Sequence, residues 1–344
     1  MLKRTIFIMA ISLVLSLGAG QTLAQNTVIG LDYGPYHLAG EAPGSNIPDS
    51  QFIADLTQMA PKFSYIKTYG ADSVLARIVP LISQNNINLK VAVGIYESSA
   101  GRNDPNGTNA QIQTAISLAQ QYPNIVNMVV VGNECIAGEA PSTSTPVSLS
   151  TLITDLNTVK AALPNTIVTT CLTYQAGIDL GGSTSPLLPA VDNVMINVYP
   201  FYGGMAISDA LDNLKNAYSL FSKYGKPVWV GETGWPSAGD AIGEAVPSVD
   251  NEKTYISAVL AADLPYAGVY LFEAYDEPWK TGEGSIGPHW GLQNSDGTPK
   301  FTLGALPPNA VPVPGSLLLL SSGLLGLLPF RPAWKEWRSQ NRLH

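Results

Sequence analysis

Residues 226–237 read Lys-Pro-Val-Trp-Val-Gly-Glu-Thr-Gly-Trp-Pro-Ser. Val228, Trp229 and Val230 have the composition of a buried strand, and Glu232 stands at its end between Gly231 and Thr233. A second segment repeats the arrangement: the apolar run Val126 to Val131 is followed by Gly132, Asn133 and Glu134. One glutamate at the end of a strand is most often a solvated loop charge or a helix cap. Two in matching contexts, each close to a glycine, suggest a division of labour. One protonated carboxyl can donate to a leaving oxygen while one ionised carboxylate attacks an electron-poor carbon. Breaking a glycosidic bond needs both groups, because its transition state resembles an oxocarbenium ion. Asn133, next to Glu134, is suited to hydrogen-bond a sugar 2-hydroxyl.

Such acids need a frame that aims them. A theme recurs through the body of the chain: a short β-branched run, a loop, then an amphipathic stretch. The runs are Val28–Leu31, Phe63–Lys67, Leu89–Val93, Val126–Val131, Thr166–Leu172, Val194–Val198, Val228–Val230 and Gly268–Phe272. Helical periodicity is marked over Ser73–Val79, over Leu149–Leu163 with Ser148 or Ser150 as its cap, and over Asp209–Lys223. Strands alternating with helices pair in parallel through right-handed crossovers. Eight such units predict an α/β fold, a single (β/α)₈ TIM barrel over residues 25–306. An open doubly wound sheet would begin with a glycine-rich phosphate loop, whereas the first strand here leads into Asp32-Tyr33-Gly34-Pro35-Tyr36.

Sites on such barrels sit at the carboxyl ends of the strands. Tyr33, Tyr69, Tyr96 with Glu97, Glu134, Tyr199, Glu232 with Trp235, and Glu273 through Lys280 all follow strand ends. Carboxylates and aromatic rings crowded on one face suit a carbohydrate, with ring faces for C–H surfaces and polar groups for hydroxyls.

Composition narrows the remaining classes. The chain has 344 residues, a formal net charge of −8 and no basic stripe in its body, which argues against a nucleic-acid partner. The three histidines, His37, His289 and His344, form no cluster with Cys135 and Cys171, so no metal site is expected. The chemistry requires no cofactor. The two cysteines are open to either a disulfide or separate burial as small apolar residues.

At this point the sequence resembles the glycoside hydrolase family 17 β-1,3-glucanases. The matching segments are VVVGNE (129–134), INVYPFY (196–202), VGETGWPS (230–237), FEAYDEPWK (272–280) and HWGL (289–292), and they occur in family order. The resemblance implies a retaining hydrolase of β-1,3-glucan working through a covalent glycosyl-enzyme, with Glu134 as acid/base and Glu232 as nucleophile. It implies that Tyr33 and Tyr199 line the cleft, that Glu277 and Lys280 hold the acid/base side, and that Trp235 supports the nucleophile loop or stacks on sugar. Transfer to another glucan chain would use the same residues, and a non-catalytic glucan-binding surface protein is the alternative from another class. Glu273 receives no role. A monomer is expected.

The ends point to export. Lys3 and Arg4 precede an apolar run from Ile6 to Leu17, then Gly18, Ala19 and Gly20 and the small residues before Gln25, as in a signal peptide over residues 1–24. Residues 307–344 contain Pro-Val-Pro-Gly, a short apolar run and a basic tail. They resemble the exosortase-type (PEP-CTERM-like) sorting signals, with Val313 where such signals usually carry glutamate. That resemblance implies a sorting protease as partner and membrane contact confined to this segment; a plain tail anchor is the other reading. The protein is therefore expected outside the cytoplasm, at the cell surface or in the periplasm.

Overall fold

The computed structural model describes residues 27–137, 145–180 and 185–304. The signal-peptide and sorting-segment expectations lie outside them. Eight parallel strands close into a barrel in chain order, with β1 hydrogen-bonded to β8. They are β1 (Val28–Asp32), β2 (Tyr65–Lys67), β3 (Lys90–Ile95), β4 (Val126–Asn133), β5 (Ile167–Leu172), β6 (Val194–Asn197), β7 (Val228–Thr233) and β8 (Gly268–Leu271). Each falls on one of the β-branched runs in the sequence. The (β/α)₈ expectation holds, with the relation of each strand to its run differing by only a few residues.

The helices among the described residues are α1 (Asp49–Met59), α2 (Ile78–Gln84), α3 (Thr108–Gln121), α4 (Leu149–Ala162), α5 (Tyr174–Leu180), α6 (Ala210–Phe221) and α7 (Val249–Ala261). The Ser148 hydroxyl caps α4 by accepting from the Thr151 amide. The periodic stretch at Ser73–Val79 resolves differently. A 3₁₀ turn occupies Leu75–Arg77 and the α-helix begins only at Ile78. Asp72 is the reason, since its Oδ1 accepts from the amides of both Val74 and Leu75 and holds that stretch in a side-chain-bonded turn. After β8 the described chain runs through short 3₁₀ turns at Lys280–Glu283 and Gly287–His289.

Apolar residues divide into two layers. A large cluster fills the space between strands and helices. A smaller one, including Val28, Tyr65, Met128, Met195, Trp229 and Tyr270, fills the barrel itself. Side chains alternate along a strand, so residues two apart share a face. The alternation that puts Val28, Tyr65 and Met195 inside therefore carries Asp32, Lys67 and Asn197 into the lumen near the carboxyl end. Polar groups thus cap an apolar plug. The chain after β8 fastens this end: Lys300 donates to Asp276 Oδ1 at 2.7 Å and to Ser237 Oγ at 2.6 Å, and the Ser237 amide donates to the His289 carbonyl at 2.8 Å. The loop after β7 is in this way tied to the HWGL segment.

Candidate active site

Glu134 owes its direction to irregular backbone. The pairing of β4 with β5 shifts register between Val130 and Asn133, and Gly132 and Glu134 adopt φ of 77° and 47°. A left-handed φ is ordinary for glycine and unusual for glutamate. Gly132 has a second constraint, because a Cβ there would collide with the Cys135 sulfur. The Glu134 amide is held by the Cys171 carbonyl at 2.9 Å. Its Oε1 accepts from Asn197 Nδ2 at 2.7 Å, and the same amide group lies 3.5 Å from Asn133 Oδ1. Asn197 Oδ1 in turn accepts from the Cys171 thiol at 2.9 Å.

Glu232 is fixed by different chemistry. Its Oε2 accepts from the Tyr199 hydroxyl at 2.8 Å and its Oε1 lies 3.3 Å from Lys67 Nζ. Lys67, at the end of β2, is buried and also pairs with Asp32 at 3.0 Å. Burial opposes a charged lysine, but the carboxylates of Asp32 and Glu232 outweigh it and hold the Lys67 pKa up, so the ammonium persists. Burial likewise pushes Asp32 upward against the pull of Lys67. The lysine also rests 4.3 Å from the centre of the Tyr69 ring, a cation–π contact.

The two carboxyl groups share neighbours. Asn197, which binds Glu134, sits beside Glu232 in the β6–β7 register. The Cys171 sulfur packs so closely on Gly231 that no Cβ fits there. The hydroxyl of Tyr202 feels both acids: burial chiefly, and then the charges of Glu283, Glu232 and Glu134, push its pKa up. Tyr202 is 49% exposed beside Tyr199 and Trp290, and Tyr96, at the end of β3, is 50% exposed. These two rings offer free faces on the acid-bearing rim.

The remaining expectations divide. Tyr199 donates to Glu232, and Asn133 lies against Asn197, the residue that donates to Glu134. Glu277 and Lys280 pair at 3.0 Å, and Lys280 also binds Glu273 at 2.7 Å, which supplies the partner that the sequence left unnamed. Burial, then the neighbouring Glu277, raise the Glu273 pKa well above the usual carboxyl range against the pull of Lys280. Among the aromatic expectations, that for Tyr33 requires correction and that for Trp235 narrows to one of its two alternatives. Tyr33 is 0% exposed; its hydroxyl donates to Asp55 at 2.7 Å and its ring packs edge-on to Tyr275, so it has no surface for a sugar. Trp235 is also 0% exposed, donates Nε1–H to the Val246 carbonyl and packs on Phe201. It braces the loop after β7 and has no exposed face for a sugar. Cys135 and Cys171 are both buried, and no disulfide joins them. The sequence assigns no role to Lys67, Asn197 or Tyr202, although the last two fall within the INVYPFY segment.

Residues 30–291 match the BtgE/BtgC glycoside hydrolase domain. Among curated proteins, the chain is similar to a glucan 1,3-beta-glucosidase of Schizosaccharomyces pombe, 26% identical over 266 residues, covering 73% of this chain and 80% of that protein. It is also similar to a probable beta-glucosidase, btgE, of Aspergillus fumigatus, 27% identical over 271 residues, covering 76% of this chain and 44% of the relative. The chain thus spans most of the first relative and under half of the second. Among solved structures, the family 17 β-1,3-glucanosyltransferase of Rhizomucor miehei superposes with TM-score 0.63 at 20% identity, over 82% of this chain and 99% of that one. An endo-laminarinase from Formosa gives 0.65 at 20% identity, over 78% and 84%. At such identities the superpositions speak for the barrel alone. The domain match covers most of the chain, and on that ground the protein belongs to the BtgE/BtgC glycoside hydrolase family.

Proposed function

We propose that the chain cleaves β-1,3-glucan with retention of configuration, using Glu232 as nucleophile and Glu134 as acid/base. The observation that carries this is the pair of strand-end glutamates brought to neighbouring positions through Asn197 and Cys171. The name of the Schizosaccharomyces pombe relative supports the linkage. Glu232 attacks the anomeric carbon as the glycosidic C–O bond breaks, and the bond electrons leave with the oxygen. Glu134 delivers its proton to that oxygen. In the second half Glu134, now a carboxylate, takes a proton from the incoming hydroxyl as that oxygen displaces Glu232. Asn133 is placed to hold the sugar 2-hydroxyl, and the Glu273–Lys280–Glu277 cluster supports the same rim.

Whether water or a sugar hydroxyl arrives second decides between hydrolysis and transfer. Tyr202, half-exposed beside both acids, favours an acceptor sugar able to stack there, so we propose that transfer competes with hydrolysis at high glucan concentration. Products longer than the laminari-oligosaccharide supplied would be the sign of it.

Glu232→Gln tests the reading as a whole. Activity on laminari-oligosaccharides should fall on the order of 10⁴-fold or more while affinity is kept. A protein that binds glucan without cleaving it would be indifferent to this change. Equal turnover of cellulose or mannan oligosaccharides by the unmodified enzyme would remove the β-1,3 assignment.

Export is the finer reading of the two ends. We propose that residues 1–24 are removed and that 307–344 serve as a sorting segment handled by a protease. The intact mass and N-terminal sequence of material recovered outside the cytoplasm test both halves.

A further inference from the structure

We propose that Asn197, locked by the thiol of Cys171, is the positioning residue that selects which oxygen of Glu134 carries the catalytic proton. The proposal rests on Glu134 being the acid/base, as argued above.

Asn197 ends β6 and points into the lumen between the two acids. Its Nδ2–H bonds to Glu134 Oε1 at 2.7 Å. An oxygen that accepts this bond behaves as the carbonyl of the protonated carboxyl, so the acid proton is directed to Oε2. From there it passes to the glycosidic oxygen as the C–O bond electrons leave with that oxygen. In the second half the same N–H steadies the carboxylate while it accepts a proton.

An asparagine amide has two orientations, and a wrong one would be costly here. Turned over, Asn197 would aim its carbonyl at Glu134 Oε1 and Asn133 Oδ1, placing acceptors against acceptors. The partner on its other side decides the matter. The Cys171 thiol donates to Asn197 Oδ1 at 2.9 Å, which leaves the NH₂ group for Glu134. Burial, against some opposition from Lys67, pushes the Cys171 pKa well up, which favours the protonated thiol that donates here. Its backbone carbonyl binds the Glu134 amide at 2.9 Å, and its sulfur packs on Gly231 next to Glu232. One residue on β5 therefore touches the supports of both acids.

The test compares variants on two substrates: a laminari-oligosaccharide, whose alcohol leaving group needs the acid, and 2,4-dinitrophenyl β-laminaribioside, whose phenolate leaves without one. For Asn197→Ala, kcat/KM on the oligosaccharide should fall on the order of 100-fold, and on the dinitrophenyl substrate by at most about threefold. Cys171→Ala should fall roughly tenfold on the oligosaccharide alone, and Cys171→Ser, which keeps a donor, should recover most of that loss. Losing an N–H donor disfavours the ionised carboxyl, so the alkaline limb of the kcat/KM profile should move to higher pH in Asn197→Ala and Cys171→Ala. Parallel losses on both substrates, equal behaviour of the Ala and Ser variants, or an unmoved alkaline limb would each overturn the proposal. Asn197→Ser and Cys171→Ser carry the comparison should the alanine variants fold poorly. Glu134→Gln separates the two layers of argument: if it keeps oligosaccharide activity, the acid/base reading itself fails.

Discussion

The two halves of the site hold a glutamate in opposite ways. On the β4–β6 side, Glu134 meets an amide backed by a thiol, both of them neutral, on backbone bent through left-handed φ at Gly132 and Glu134. On the β7–β2 side, Glu232 meets a buried ammonium and a phenol at the end of a strand. The difference fits the work proposed for each acid. A group that gives up and regains a proton in every cycle is best steadied by neighbours whose own charge does not favour one state too strongly. A nucleophile must be an anion at the outset, and a cation at 3.3 Å suits it. The cation needs support of its own inside a barrel, and Asp32, 3.0 Å from it on β1, provides that.

The largest expected effect breaks the charged half. Lys67→Met leaves Asp32 and Glu232 buried without their cation, which should cost roughly 3–5 kcal/mol of stability and on the order of 10²–10³ in kcat/KM. The loss should be the same for dinitrophenyl and oligosaccharide substrates, because both require attack by Glu232. That pattern is the mirror image of the one expected for Asn197. A Lys67 variant whose loss depended on the leaving group would erase the distinction between the halves. Less severe is Tyr199→Phe, which removes one hydrogen bond to a charged oxygen and should reduce kcat/KM roughly 10- to 100-fold. Its effect should again be independent of the leaving group, as read from steady-state kinetics on the same pair of substrates.

How far these halves were legible in the sequence differs for the same reason. Glu134 and Glu232 could be read because an acid next to glycine at the end of an apolar run is a local pattern, and strand ends are where a barrel places its chemistry. Lys67 also ends such a run, directly beside the strand that ends in Asp32, so opposite charges on adjacent strand ends are a signal the sequence carries. Asn197 and Cys171 gave no such signal. An asparagine between Ile196 and Val198 and a cysteine in a buried strand are ordinary residues, and their role depends on side-chain contacts across three strands. The aromatic residues mark the limit most clearly. Tyr33, Trp235 and Tyr202 all follow strand ends, yet only Tyr202 presents a free face. The others turn into the packing behind the loops, where Asp55 and the Val246 carbonyl satisfy their polar atoms. Whether a ring faces solvent is decided by what its neighbours leave uncovered, and strand position does not reveal that.

Behind the neutral half lies one titrating group, and it allows the comparison to be sharpened further at small cost to the fold. Glu97 follows β3, its side chain packs against Gly132, and it shares Arg102 with Asp155 at 2.8 and 2.6 Å. Burial and the nearby Asp155 charge raise its pKa to about 7, against the opposing pull of Arg102. The folded chain thus binds this proton more tightly than the unfolded chain does. Its stabilising contribution is complete below the ordinary carboxyl range near 4.5 and is lost as pH rises through about 7. Glu97→Gln removes the titration. The melting temperature of the unmodified protein minus that of the variant should therefore fall by roughly 2–6 °C between pH 4.5 and 8, measured by calorimetry at matched ionic strength. A flat difference would mean that Arg102 keeps Glu97 ionised throughout. The backing of Glu134 would then be as charged as that of Glu232, and the contrast between the two halves would be confined to the groups that touch each acid directly.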